Sequence, residues 1–199
     1  MNVSQAISVV LFLVVSLLSF SVWAFAGSLF ANEATMYAGC AIVFFGFGGM
    51  ALLPAAGLSG KSAIQFCISF AVSYLAYAFI WSLAWFSLPI TFGEVVGSSI
   101  GLVAFSLILI RWNKLKISLL SATSILFLFH TLGYYLGGFT YQMIQGRGPL
   151  GLELSLSVET VRLLARLSWG AGYGIGLGFG ISKILYLSRQ SCASPSTQI

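Results

Sequence analysis

Apolar residues run along this chain in six long blocks, separated by short breaks that are polar or contain glycine and proline. The blocks cover residues 6–26, 34–55, 62–86, 92–110, 117–141 and 163–187. Each is close to the roughly 20 residues that cross a hydrocarbon core as a helix. The pattern therefore predicts an all-α membrane protein, a bundle of six transmembrane helices. Pro54 and Gly57 end the second block, Pro89 ends the third, and the run 111–116 ends the fourth. The longest connection, 142–162, has Gly146, Gly148, Pro149 and Gly151 early in it. The stretch 152–164, with Glu153, Glu159 and Arg162, is amphipathic and is expected to lie along the membrane surface. Residues 1–188 read as one polytopic domain, and 189–199 as a polar, disordered tail. The first block ends in Ala24-Phe25-Ala26, which has the form of a signal-peptidase site. Residues 1–5 hold no Lys or Arg, and the apolar run exceeds a usual signal core, so a retained helix is expected.

The sixth block carries a second pattern. From Trp169 to Gly180 six glycines alternate with larger residues. On a helix they form two lines, Gly170, Gly174, Gly178 and Gly172, Gly176, Gly180, on nearly opposite sides, because two residues turn a helix by about 200°. Lines of small residues let helices pack backbone to backbone in lipid. A glycine-zipper last helix, clasped from both sides, is the expectation. No internal repeat relates the first three blocks to the last three.

Composition excludes the soluble alternative. The 199-residue chain is 59% hydrophobic and 7% charged, with a mean hydropathy of +1.01; soluble domains carry about 25% charged residues. Nine Lys and Arg stand against four Glu and no Asp. With the N-terminus inside, Lys61, Arg111, Lys114, Lys116, Lys183 and Arg189 collect on the inner side. All four glutamates, with Arg147, Arg162 and Arg166, collect outside. The positive-inside rule selects this N-in, C-in orientation. No basic patch interleaved with aromatics suggests nucleic acid. Cys40 and Cys67 lie in apolar blocks and Cys192 in the tail; with no CxxC or Cys/His pair, neither a metal nor a cofactor is expected.

His130, the single histidine, sits inside the fifth block, and an ionisable residue within a membrane is a candidate functional group. Tyr134 follows it by one turn. A proton relay or a hydrogen bond to a solute is the functional reading, with an axial haem ligand behind them. A neutral imidazole bonded to another helix is the structural one. Gln65, Ser69, Ser73 and Tyr77 recur every four residues along the third block and so share a face that needs protein or water. Such a line suits a solute path or an interhelical seam. Glu94, near the start of the fourth block, reads as a carboxylate favoured by the helix dipole, or as a charge at the mouth of a path. Trp23, Trp81, Trp85, Trp112 and Trp169 fall near block ends, as an aromatic belt requires. Arg166 and Lys183 are expected to snorkel to the interface.

Two short motifs resemble those of rhomboid intramembrane proteases. Gly57-Leu58-Ser59-Gly60 has their GxSG form, and the stretch from His130 through Gly133 to Gly137 has their HxxGxxxG form. The resemblance implies Ser59 as nucleophile and His130 as its base. Depth opposes it: Ser59 precedes the third block, whereas His130 lies about 13 residues into the fifth, a separation of roughly 20 Å along the membrane normal. The family's polar loop after its first helix also has no counterpart. A catalytic role is therefore not the favoured reading.

The sequence is read first as a small-solute transporter or channel of a bacterial inner (plasma) membrane, its path lined by the third and fifth helices. The alternative is a non-catalytic subunit or assembly factor binding partner helices, and the third reading is the protease. The partners expected are the lipid bilayer and a second copy or another membrane protein.

Overall fold

The computed structural model describes residues 1–26, 29–147 and 149–193, and no strand occurs among them. Six long helices and one short one follow in order: α1 (Val3–Ala26), α2 (Glu33–Ala51), α3 (Leu53–Ala56), α4 (Gly60–Ser87), α5 (Ile90–Asn113), α6 (Leu119–Ile144) and α7 (Val158–Ala193). Consecutive long helices pack side by side, and α7 closes the ring against α1.

The helices are inverted relative to a soluble bundle. On α1, Ser8, Phe12, Ser16 and Ser19 form one fully buried stripe, while Ile7, Val10, Val14 and Leu18 cover the opposite face and are about half exposed. Hydroxyls inside and branched aliphatics outside suit a surrounding of hydrocarbon, because water would reward the reverse. Bare apolar faces of this kind also run along α4, α5 and α6. Five stretches are long and apolar enough to cross a membrane: Val3–Phe25, Glu33–Ala56, Gly60–Ser87, Thr91–Asn113 and Leu119–Ile144. The protein is a multi-pass membrane protein by this measure. The helix α7 is longer, at 36 residues, but its glycines and charges make it less apolar.

Close packing holds α7 in place. A Cβ on Gly172 would lie 2.8 Å from Gly137 Cα, and one on Gly176 would lie 2.8 Å from Gly133 Cα, so this line meets α6 backbone to backbone. On the other side Gly170 faces Phe20 at 2.6 Å, and Gly174 faces Leu13 Cα at 3.2 Å. Ser16 Oγ donates to Gly170 O at 2.7 Å across this seam. A third line, Gly93, Gly97 and Gly101, sets α5 against the backbone of Ala84, Trp81 and Tyr77 on α4. Two arginines tie the ends of α7. Arg166 donates to Trp23 O at 2.8 Å and lies 4.8 Å over the Trp23 ring, while Arg189 donates to Ala55 O at 3.1 Å. Each guanidinium thereby meets carbonyls at the C-terminus of another helix, where the dipole favours a cation.

Several expectations are corrected. Residues 152–164 do not form a surface helix: 152–157 are irregular, and Val158 onward begins α7 without a break. The Ser157 side chain accepts from Thr160 N, which starts that helix. The polar tail is helical as far as Ala193, and residues 194–199 lie outside the described residues. Arg166 is held by α1 rather than reaching freely to the interface.

The ring has two unlike ends. One carries Lys61, Arg111, Lys114, Lys116 and Arg189 and is called the basic end here. The other gathers Trp23, Tyr37, Trp85, Tyr141 and Trp169 and is called the aromatic end.

Candidate functional site

Inside the ring, the buried stripes of α4 and α6 meet. Phe66, Ser69, Phe70, Ser73, Tyr74 and Tyr77 form the α4 stripe; Leu126, His130, Gly133 and Gly137 belong to the α6 stripe. Tyr77 Oη and His130 Nε2 are 2.8 Å apart. The imidazole stacks on Tyr134, with centroids 5.8 Å apart, and meets Tyr173 edge-on at 5.5 Å. Tyr134 Oη donates to Glu94 Oε1 at 2.9 Å, and the hydroxyls of Tyr74 and Tyr173 lie 3.2 Å apart. His130 is fully buried, yet its Nδ1 has no partner. If Tyr77 donates to Nε2, the proton sits on Nδ1; if Nε2 donates, Nδ1 is a bare acceptor. In both tautomers one hydrogen-bonding position of the ring stays open.

This polar cluster underlies a cavity of about 660 Å³ at the aromatic end. Its walls include Tyr74, Tyr77, Tyr134 and Tyr173 from the cluster, with Trp23, Trp81, Trp85 and Trp169 above them. Four of the five tryptophans therefore converge on one cavity rather than spacing out as a belt; Trp112 alone belongs to the basic end. A second cavity, of about 630 Å³, opens at the basic end and is bordered by Ser62, Gln65, Asn113, Lys114, Ser188 and Arg189.

The line on α4 runs from one cavity to the other. Gln65 borders the basic cavity and Tyr77 the aromatic one, twelve residues or about 18 Å apart along the helix. Ser69 and Ser73, between them, are fully buried. Ser73 Oγ donates to Ser69 O at 2.7 Å, and Ser69 Oγ donates to Phe66 O at 2.8 Å. Asn113 Nδ2 reaches in to donate to Ser69 Oγ at 2.7 Å. Phe12, Phe66, Phe70, Phe105 and Leu126 fill this layer. The middle of the expected path is thus closed, with its hydroxyls satisfied locally.

The sequence candidates sort accordingly. Tyr77, His130, Tyr134 and Glu94 come together; Gln65 stands at the other end; Ser69 and Ser73 lie in the barrier between. Glu94 lies in the second turn of α5 and binds Tyr134 rather than capping its own helix. Tyr74 and Tyr173 carry no spacing signal in the sequence, although Tyr173 lies between Gly172 and Gly174 of α7 and is buried. Among the described residues no group of three His, Cys, Asp or Glu side chains forms a metal site.

The protease motifs stay apart. Ser59 is the exposed N-cap of α4, and its side chain makes no capping bond. His130 bonds Tyr77, eighteen residues further along α4, or about 27 Å from Ser59. A serine hydroxyl needs its base within about 3 Å. A fluorophosphonate probe is therefore expected to leave Ser59 unlabelled; a stoichiometric adduct there, read by mass spectrometry, would reinstate the protease reading.

Comparison with known proteins assigns the chain to no group: no family model matches it, and neither a curated protein nor a solved structure does.

Proposed function

We propose that this protein is a gated transporter for a small uncharged solute, caught with the barrier between its two cavities closed. The observation that carries this reading is the α4 line, which links cavities at opposite ends through a polar but fully buried middle. A barrier of packed rings between two vestibules is what alternating access requires of one conformation. Tyr77 and Tyr134 border the aromatic cavity, with His130 and Glu94 bonded to them from behind, and a solute there would exchange hydration for hydrogen bonds to the tyrosines. Six spans, N-in and C-in, put the basic end in the cytoplasm of a bacterial inner membrane, and the glycine zipper of α7 supplies a rigid wall shared by α1 and α6.

A second reading has its own support. The hydroxyls of Ser69 and Ser73 bond to their own helix, as in an interhelical packing seam of a non-catalytic subunit.

Single cysteines test the two-vestibule arrangement, with Cys40, Cys67 and Cys192 replaced. Gln65→Cys and Ser59→Cys are expected to react with an impermeant thiol reagent only from the cytoplasmic side. Ser82→Cys, in the wall of the aromatic cavity, is expected to react only from outside. Labelling of Ser59→Cys from outside intact cells would invert the topology. An inert Gln65→Cys together with an inert Ser82→Cys would remove the vestibules and leave the subunit reading.

A further inference from the structure

The aromatic cavity is not walled on all sides by the ring. Ile42 of α2 and Leu75, Phe79 and Phe86 of α4 border it, and the same residues are more than half exposed on the outer surface of the bundle. Ile42 and Leu75 lie near the middle of their helices, so the gap between α2 and α4 reaches towards the middle of the hydrocarbon layer. Its origin is in the sequence. Towards the basic end, a Cβ on Gly49 would lie 2.8 Å from Cys67 Cα, and Gly48 sits against Phe70. Towards the aromatic end no such glycine contact recurs, and the facing residues are small: Ala34, Ala38 and Ala41 against Ala78 and Ser82. The backbones meet closely at one end; at the other the Tyr37 and Trp81 rings bridge the helices, 6.4 Å apart, beside a slot of short side chains.

The chemistry inside is selective. No Lys, Arg, Asp, Glu or His borders the cavity, and the gap beside it opens on hydrocarbon, which an uncharged molecule crosses and an ion does not. Its walls are mostly aromatic rings, which favour flat molecules. Tyr37, Ser82 and Tyr141 also line it and carry hydroxyls that can donate to an oxygen acceptor.

We infer that the aromatic cavity binds an uncharged, flat, lipid-soluble molecule bearing a carbonyl or ether oxygen, and that this molecule enters sideways from the bilayer between α2 and α4. The assignment deepens the transporter reading and rests on it, since it names the solute class and its door. The volume of about 660 Å³ is within the range of ordinary small-molecule pockets, about 300–1,000 Å³.

Benzophenone is a suitable probe: a neutral aromatic ketone that dissolves in lipid and, on irradiation, inserts into nearby C–H bonds. Purified protein in lipid nanodiscs is irradiated with increasing benzophenone, or with its water-soluble 4-sulfonate, and the adducts are located by mass spectrometry. Saturable benzophenone adducts on α2 and α4 around Ile42, Leu75 and Ala78 are expected, with non-saturable background on the lipid face of α5 at Val103. The sulfonate is expected to label these sites at least about tenfold less, a difference of about 1.4 kcal/mol in occupancy. Ala38→Phe, at an exposed position that leaves the core untouched, and Ala78→Phe each fill the slot and should remove the saturable component while the Val103 background persists. Equal labelling by the sulfonate would overturn lateral entry but leave a solute vestibule open to water. Absence of any saturable adduct would overturn the ligand assignment, while the reactivity of Gln65→Cys and Ser82→Cys still decides the transporter reading separately.

Discussion

Replacing Gly176 with leucine is expected to abolish recovery of folded protein. A Cβ at that position would lie 2.8 Å from Gly133 Cα and 3.1 Å from Gly133 N, and both neighbours are backbone. No rotamer change relieves such a contact, so α6 and α7 must separate along their whole seam. Overpacking a core costs typically 1–3 kcal/mol where side chains yield; here the upper end, about 3 kcal/mol, is the least expected. Gly174→Leu should behave similarly on the opposite side, where Ser16 and the Leu13 backbone stand in the way. Gly46→Leu is the control, because nothing lies within 4 Å of a Cβ there. The measurement is the monodisperse fraction after detergent extraction, with the denaturant midpoint of whatever survives. Wild-type recovery of both Gly174→Leu and Gly176→Leu would mean that α7 is peripheral in the membrane.

The second large effect concerns the barrier. Ser73→Cys should react with a small water-soluble thiol reagent about a hundredfold more slowly than Gln65→Cys, because a fully buried site must wait for a local opening that costs a few kcal/mol. Phe70→Ala should then accelerate that reaction. The Phe70 ring packs against Phe12, Tyr74 and Phe105 in the layer between the cavities, with centroids 5.9–6.1 Å apart. Removing it leaves a void at the level of Ser73, where truncating such a residue costs about 3–5 kcal/mol. A transporter should show the faster reaction without loss of fold, because its barrier is built to open. If Ser73→Cys stays inert in Phe70→Ala, and a tagged copy brings down a stoichiometric membrane partner, the seam belongs to a subunit.

Much of the bundle was legible in the chain because a bilayer imposes its own grammar. Apolar blocks of fixed length place the long helices, and the breaks at Pro54, Gly57 and Pro89 follow from the missing proline N–H and from glycine's access to positive φ, seen at Gly57 with φ 63°. The two glycine lines of α7 could be drawn from spacing alone, and their neighbours, α6 and α1, became known only on packing. The line Gly93, Gly97, Gly101 has the same four-residue spacing. Its members are four residues apart with no alternating glycines between them, so it does not stand out as a repeat. The start of α7 was misplaced because Glu159 and Arg162 resemble a surface helix in hydropathy, although a capped helix can carry charges for a turn or two before entering the core.

The candidate site was legible in its parts and not in its arrangement. The recurrence of Gln65, Ser69, Ser73 and Tyr77 marks one face of α4, since a four-residue step only slightly overshoots a helical turn. Whether that face is wet depends on which rings of other helices fill the layer beside it, and Phe12, Phe105 and Leu126 come from three separate helices. Likewise the tryptophans near block ends suit a belt as well as a cavity. They converge because the ring closes between α1 and α7 and because glycine brings the backbones of α2 and α4 together only at the basic end, at Gly49. Periodicity along one chain segment determines which side chains share a face of a helix. What that face meets is decided by helix rotation and crossing, which depend on side-chain contacts between segments far apart in sequence.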